Sequence, residues 1–134
     1  MTSRRCTLIE EGACELLQLH GYTVLTIPPG YNKRHPPGHL VASLSSGETR
    51  YIRIRKIFRR SSSVTTVESH CTKDLAQYRK HLSRHFGANG HHCEIWLYSL
   101  SNGFCCFEVL SDSVWEIPQF SLTMPAVPPV GGEA

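Results

Sequence analysis

The first amphipathic helix that the sequence predicts lies near the N-terminus. Its apolar positions recur every three or four residues and are Ile9, Ala13, Leu16 and Leu17. Thr7 and Glu10 have the spacing of a capping box, which predicts that the helix begins at Thr7. Gly21 follows the last apolar residue, and a glycine at that place commonly ends a helix.

A longer apolar stripe predicts a second helix in the middle of the chain. The residues of this stripe are Val67, Cys71, Leu75, Tyr78, Leu82 and Phe86. Thr65 and Glu68 form a second capping box ahead of the stripe, and Gly87 follows it. We therefore expect one continuous helix of about six turns at ~3.6 residues per turn.

Five strands are predicted around these helices. Residues 22–27 are rich in β-forming side chains, and residues 40–44 are mostly apolar. Residues 50–55 alternate between apolar and polar, and a Ser-Gly turn joins them to the preceding strand as an antiparallel hairpin. An Asn-Gly turn predicts a second hairpin between residues 93–100 and 104–111.

The predicted order of elements is helix, three strands, helix and two strands. This order favours an α/β (mixed α+β) domain in which helices flank a central mixed sheet. A chain of 134 residues is long enough to bury one core, and we assign a single domain to residues 1–117. Residues 118–134 are rich in proline and glycine, and we expect them to be a disordered tail.

Composition limits the class of protein without identifying a function. Hydrophobic residues make up 40% of the chain, and no run approaches the ~18 apolar residues that a membrane span needs. The N-terminus lacks the apolar segment of a signal peptide. We therefore expect a cytoplasmic protein with no membrane contact, in which the six cysteines are reduced thiols.

Charge is unevenly distributed along the chain, although the net charge is only +3. Residues 1–60 contain ten Lys or Arg and four Asp or Glu, whereas residues 91–134 contain five acidic residues and no Lys or Arg. The densest basic run comprises Arg50, Arg53, Arg55, Lys56, Arg59 and Arg60. Such a run predicts either a surface that binds phosphate groups or a solvated charged face, and both interpretations stay open.

Four segments around the first hairpin share a recognisable pattern. They are Glu10-Glu11, Gly21-Tyr22-Thr23-Val24-Leu25, Gly38-His39-Leu40-Val41-Ala42 and Ile52-Arg53-Ile54-Arg55. In pattern and order these segments resemble the PD-(D/E)XK nuclease superfamily, most closely its archaeal Holliday-junction-resolvase-like branch. The resemblance covers roughly residues 7–117 and implies an αβββαβ core, here with an additional C-terminal hairpin strand.

The residues that carry the chemistry of that superfamily differ in this chain. The resemblance places His39 where the metal-binding aspartate belongs, Arg53 where the glutamate belongs and Arg55 where the lysine belongs. Only Glu10 or Glu11 survives as an acidic family position. Because arginine keeps its positive charge, Arg53 puts a cation where Mg²⁺ would bind. We therefore expect no catalytic residue, no metal site and no cofactor, with Mg²⁺ relevant only to a residual nuclease.

Three functions follow from these observations. The first is a catalytically inactive relative that binds DNA or RNA, because guanidinium groups contact phosphates without a metal. Its predicted binding residues are Lys33, Arg34, Arg50, Arg53, Arg55, Lys56, Arg59 and Arg60. The second is a structural or protein-interaction domain whose arginines pair internally with Glu10, Glu11 or Glu15 on the first helix. The third is a residual metal-dependent endonuclease.

The cysteines near the C-terminal hairpin do not predict a zinc site. If Cys105 and Cys106 lie opposite Leu100 and Ser99, Cys93 is six residues further along the strand. At ~3.3 Å per residue this separation is about 20 Å, which is too far for a shared zinc ion. The cysteines expected to pack as small apolar residues are Cys14, Cys71, Cys93 and Cys106.

The strand that begins at Cys93 leaves a question about partners. Residues 93–98 are apolar on both faces apart from Glu94. Such a strand is either central and covered by helices on both faces, or an edge strand that pairs with another chain. A homodimer is therefore an open alternative.

Overall fold

A six-stranded sheet with helices on both faces forms the fold. The computed structural model describes residues 8–27, 38–57, 63–84, 90–100 and 103–118. The elements in chain order are α1 (Leu8–Leu19), β1 (Thr23–Thr26), β2 (Leu40–Ser43), β3 (Thr49–Lys56), α2 (Val64–His70), α3 (Thr72–Arg84), β4 (His91–Ser99), β5 (Gly103–Val109) and β6 (Val114–Ile117). The prediction of a mixed α+β domain with a central mixed sheet is confirmed.

The strands lie in the sheet in the same order as in the sequence, from β1 at one edge to β6 at the other. Neighbouring strands are antiparallel except β3 and β4, which are parallel because α2 and α3 connect them. Within the described ranges, every helix is too short or too polar to cross a membrane.

Each face of the sheet has its own apolar core. Beneath α1 the buried residues are Ala13, Leu17, Leu40, Ala42, Ile52, Ile54, Trp96 and Cys106. Beneath α2 and α3 they are Val67, Cys71, Leu75, Tyr78, Cys93, Ile95, Leu97, Phe107, Val109 and Val114. β4 contributes alternate side chains to both cores and pairs with a strand on either side. The interpretation of residues 93–98 as an edge strand is therefore wrong, and the covered central strand is correct.

The long helix predicted in the middle of the chain is divided at Cys71. This residue has φ −118° and ψ 37°, outside the helical region, and it separates α2 from α3. Its N–H still donates to the Val67 carbonyl, and its own carbonyl accepts from the Leu75 N–H. The apolar stripe continues across the break, which is why its periodicity did not reveal two helices.

The N-terminus of this helical region was also predicted two residues too late. Ser63 caps α2: its hydroxyl accepts from the Thr66 N–H, and the Thr66 hydroxyl accepts from the Ser63 N–H. Thr65 already lies inside the first turn. The sequence offered several hydroxyl residues in succession, so spacing alone did not identify the cap.

The C-terminal hairpin has a different register from the predicted one, because β5 begins at Gly103, inside the predicted turn. Cys106 lies opposite Trp96 and Cys105 opposite Leu97, so the predicted separation of six residues from Cys93 is wrong. Cys93 and Cys106 nevertheless belong to the cores on opposite faces. Apolar packing is confirmed for the buried cysteines Cys71, Cys93 and Cys106, and also for the half-buried Cys14, which packs against the core beneath α1.

Several predicted features lie outside the described residues, and one observed strand, β6, was not predicted. The helix signals at Thr7, Phe86 and Gly87 and all of the predicted tail except Pro118 lie outside them. The boundary between a domain at 1–117 and a tail at 118–134 therefore stays a prediction. β6 was not predicted, since four residues are too short for a clear alternating pattern.

Candidate nucleic-acid interface

The alternation of β3 divides the predicted basic cluster between the two faces of the sheet. Arg50 shares a face with Ile52 and Ile54, which pack beneath α1. Arg53 and Arg55 point to the opposite face, towards α3. The arginines of this hairpin therefore lie in two separate sites, with Arg50 on one face of the sheet and Arg53 and Arg55 on the other.

Arg53 and Arg55 share a single carboxylate, that of Asp74 on α3. Arg55 makes a bidentate contact, with Nε donating to Oδ2 at 2.7 Å and Nη2 donating to Oδ1 at 2.8 Å. The Nε atom of Arg53 lies 3.5 Å from Asp74 Oδ1 and makes no hydrogen bond among the described residues. Among the described residues, two guanidinium groups thus share one buried carboxylate, so the positive charges exceed the negative charge by one.

The two arginines differ in how far they reach solvent. The side chain of Arg55 is 44% exposed and that of Arg53 is 19% exposed, whereas Asp74 is buried. The hydrogen bonds that Arg55 donates to Asp74 raise the pKa of Arg55, so its charge is permanent. Close by, burial raises the pKa of the Cys71 thiol to about 11. That thiol stays protonated near neutral pH, and it is a packing group rather than a nucleophile.

His39 lies directly before β2 and makes two hydrogen bonds to β3. Its N–H donates to the Ile52 carbonyl at 2.7 Å, and its Nδ1 accepts from the Ile54 N–H at 2.9 Å. The predicted position of His39 opposite the Arg53 region of the hairpin is confirmed, since the adjacent Leu40 pairs with Ile52. Because Nδ1 accepts a backbone hydrogen bond, this nitrogen is not available to a metal.

The acidic family positions lie on the other side of the sheet from Arg53 and Arg55. Glu10 is buried on the face of α1 that packs against the sheet, and Glu11 and Glu15 are exposed. The expectation that α1 supplies the internal partner of these arginines is wrong, because α1 covers the face that carries Ile52 and Ile54.

Asp74, the carboxylate that pairs with Arg53 and Arg55, was not predicted from the sequence. A signal for it was present: Asp74 lies three residues after Cys71 and four before Tyr78, within the apolar stripe of the helix. An acidic residue at such a position is buried and needs a basic partner.

Arg50 belongs to a buried network beneath the opposite face. Its guanidinium contacts the carboxylates of Glu94 and Glu48, the latter at 2.8 Å, and its Nε donates to the Tyr22 hydroxyl at 2.8 Å. The Tyr22 hydroxyl donates to Glu48 at 3.0 Å, and the Trp96 indole donates to Glu94 at 2.9 Å. Two carboxylates and a hydroxyl therefore surround this single cation.

The charges of this network stabilise one another in place of solvent. Burial raises the pKa of the fully enclosed Glu94, and the donors Arg50 and Trp96 oppose that shift. For Arg50, burial lowers the pKa, but the attraction of Glu94 and the contacts with Tyr22 outweigh it, and the pKa lies above its ordinary value. With its side chain 17% exposed and its charge balanced, Arg50 offers little to a ligand.

Of the other predicted binding residues, the structure describes only Lys56. Lys56 is exposed at the end of β3. Lys33, Arg34, Arg59 and Arg60 lie outside the described residues. Among the residues that the structure describes, no group of three or more His, Cys, Asp or Glu side chains is arranged to hold a metal ion.

Comparison with known proteins does not add a family. A scan against protein-family models finds no match, and a search of curated proteins finds none either. The resemblance to PD-(D/E)XK nucleases therefore stays a prediction from the residues that carry it.

Proposed function

We propose that this chain is a catalytically inactive, nuclease-like domain that binds the phosphate backbone of DNA or RNA through Arg53 and Arg55. The observation that carries the proposal is the sharing of Asp74 by two guanidinium groups. One positive charge is left over at a partly exposed place, where an anionic ligand lowers the free energy. Arg50 takes no part, because Glu94 and Glu48 balance its charge.

The N–H groups of Arg55 that do not bind Asp74 support the same proposal. An arginine side chain carries five N–H groups, and Arg55 uses its Nε and one Nη2 N–H on Asp74. The remaining donors can bind the oxygens of a phosphate bidentately without any metal. Lys56 and Lys73 are exposed nearby in the chain, and Lys33, Arg34, Arg59 and Arg60 complete the proposed interface from the sequence.

The same ion pairs favour a second candidate, a structural or protein-interaction domain. Asp74 holds β3 against α3 through Arg55, and such a buried contact can serve the fold alone. A residual endonuclease has weaker support, because both oxygens of Asp74 are engaged by guanidinium groups that Mg²⁺ would have to displace. A cytoplasmic location is part of the proposal, since the described cysteines are free thiols.

The substitution Asp74→Asn separates the two main candidates. It removes the negative charge that competes with phosphate, yet its amide keeps a hydrogen-bond acceptor for Arg55. If the arginines bind nucleic acid, affinity for fluorescent single-stranded, duplex and branched DNA increases, measured by anisotropy across a salt titration. If the arginines only serve the fold, thermal stability falls and the weak or absent binding does not change.

A matched pair of variants tests the direction of the effect. In the Asp74→Asn background, Arg55→Gln removes one phosphate contact, and it lowers the slope of log affinity against log salt by about one. Lys80→Gln, an exposed position further along α3, is the control for loss of a charge elsewhere. Equal effects of the two substitutions would reject a specific site. Cleaved DNA in the presence of Mg²⁺ or Mn²⁺ would reject the inactive nuclease.

A further inference from the structure

The outer edge of the sheet at β6 carries an exposed tryptophan. Trp115 is 65% exposed, whereas Trp96, the other tryptophan of the chain, is fully buried. Among the described residues, β6 pairs with β5 alone, so its other side presents strand backbone that is not paired in the sheet. Edge strands of monomers are commonly protected by lysine, proline or a bulge, and Val114–Ile117 has none of these.

This edge is also acidic. Residues 91–118 contain Glu94, Glu108, Asp112 and Glu116 and no Lys or Arg. Because the strands follow sequence order, these residues lie together on the β4–β6 side of the sheet. Glu94 is balanced by Arg50, but the other three carboxylates reach solvent.

Two of these carboxylates flank the tryptophan. Glu108 lies directly opposite Trp115 in the register of β5 and β6, so the two side chains share a face. Glu116 follows Trp115 and projects from the opposite face. The cation that contacts this hairpin from α3 is Arg79, and its guanidinium donates to the carbonyls of Leu110 and Ser113 rather than to either carboxylate. Arg79 therefore holds the turn without contacting Glu116, while one oxygen of Glu108 contacts His92 Nδ1 at 2.8 Å.

We propose that β6 is a docking edge for an extended, basic segment of a partner protein. The segment adds a strand beside β6 through backbone hydrogen bonds, as in other cases of strand addition. A Lys or Arg side chain of the segment packs over the Trp115 ring, where a cation is attracted by the aromatic face, and Glu108 and Glu116 attract its charge.

Charge complementarity favours a basic partner. Residues 119–134, which follow β6 directly in the chain, contain no Lys or Arg and so cannot supply the complementary charge. That segment is therefore not the expected occupant, and we assign the edge to a separate polypeptide. A second copy of this chain is the alternative that the experiment distinguishes.

Tryptophan fluorescence of the full chain provides the measurement, since Trp96 is shielded and Trp115 is not. The probes are two synthetic peptides of equal length, one alternating Lys and Val and one alternating Glu and Val. We expect the Lys-Val peptide to bind, to protect Trp115 from iodide quenching and to dissociate as salt is added. Trp115→Ala weakens binding by about tenfold, as expected for an aromatic anchor at the centre of an interface.

Charge reversal tests the proposal while keeping the tryptophan. Glu116→Lys is expected to reverse the preference between the two peptides, and Leu25→Ala, an exposed site on the β1 edge, is the control that changes nothing. Amide exchange at Val114 and Glu116 should slow when the Lys-Val peptide binds. Equal binding of the two peptides overturns the proposal. Dimerisation that Trp115→Ala abolishes, seen by sedimentation, also overturns it, because the occupant would then be a second copy.

Discussion

Charged residues buried on both faces of the sheet determine what the hairpin arginines can do. Glu94 and Asp74 each interrupt an apolar pattern, in a strand and in a helix respectively, and each contacts an arginine of β3. The burial of these two acids and the presence of several arginines on β3 were therefore predictable from the sequence. Which acid pairs with which arginine was not predictable, because the pairing depends on which helix covers which face of the sheet.

Removing the acid of the Arg50 network is expected to destabilise the fold strongly. Glu94→Ala leaves the mostly buried Arg50 without its enclosed partner and the Trp96 indole without its acceptor. The free energy of unfolding should fall by about 3 kcal/mol or more in urea denaturation. Glu48→Ala is the control, since Glu48 contacts the same guanidinium from a partly exposed position and should cost less than about 1 kcal/mol. Equal losses would show that Glu94 is not the anchor of this network.

The pair of His92 and Glu108 makes stability depend on pH. The hydrogen bond to Glu108, at 2.8 Å, raises the pKa of His92 above its ordinary value of 6.5. The protonated ring is thus favoured in the folded state, so its contribution is complete below pH 6.5 and is lost as the pH rises through the higher folded pKa. Since both side chains are partly exposed, the contribution is at most about 1 kcal/mol.

The comparison of His92→Gln with the unchanged protein measures this contribution. The difference in free energy of unfolding should be largest in mildly acidic buffer and should shrink in alkaline buffer. His91→Gln is the control, because His91 packs near the Tyr51 ring and has no carboxylate pair among the described residues. A difference that grows with pH would contradict the assignment.

Elements with a long apolar pattern were predictable, and their ends and breaks were not. α1 and the alternation of β3 follow from spacing, because one face of each must be buried. The break at Cys71 keeps its hydrogen bonds and its buried side chain, so hydrophobicity carries no trace of it. β6 exists because the neighbouring β5 offers it an edge and because α2, which is distant in sequence, packs against it.

The cap of α2 gives a direct test at this scale. Ser63→Ala removes the hydroxyl that accepts from the Thr66 N–H and is expected to cost about 1 kcal/mol in thermal or urea unfolding. Thr65→Ala is the matched control: Thr65 is exposed inside the first turn and should change stability by less than about 0.5 kcal/mol. A larger loss of stability for Thr65→Ala than for Ser63→Ala would show that Thr65 is the N-cap, as the sequence predicted.

At the scale of the whole molecule, strand order turns a linear charge pattern into a spatial one. Among the described residues of the sheet, every Lys or Arg lies on β3, namely Arg50, Arg53, Arg55 and Lys56, whereas β4, β5 and β6 carry acidic residues and no Lys or Arg. This distribution of charge could be predicted once the strand order was known. The candidate site could not be predicted, because Arg50 and Arg55 are only five residues apart and yet lie on opposite faces of the sheet, beneath different helices.

The two cores share the backbones of β3 and β4, so we expect them to unfold together. Leu97→Ala removes buried volume beneath α2 and α3 and should cost about 2–5 kcal/mol. In a Trp115→Phe background, fluorescence reports Trp96 in the other core, and circular dichroism reports the helices. The unfolding transitions seen by both probes should shift by the same amount, because β4 carries Trp96 and Leu97 side by side and cannot lose one packing surface alone.

Leu100→Ala, at an exposed position, is the control and should shift neither transition. If Leu97→Ala moved the dichroism transition and left the Trp96 transition in place, the cores would be independent, and each face of the sheet would have to be treated as a separate folding unit.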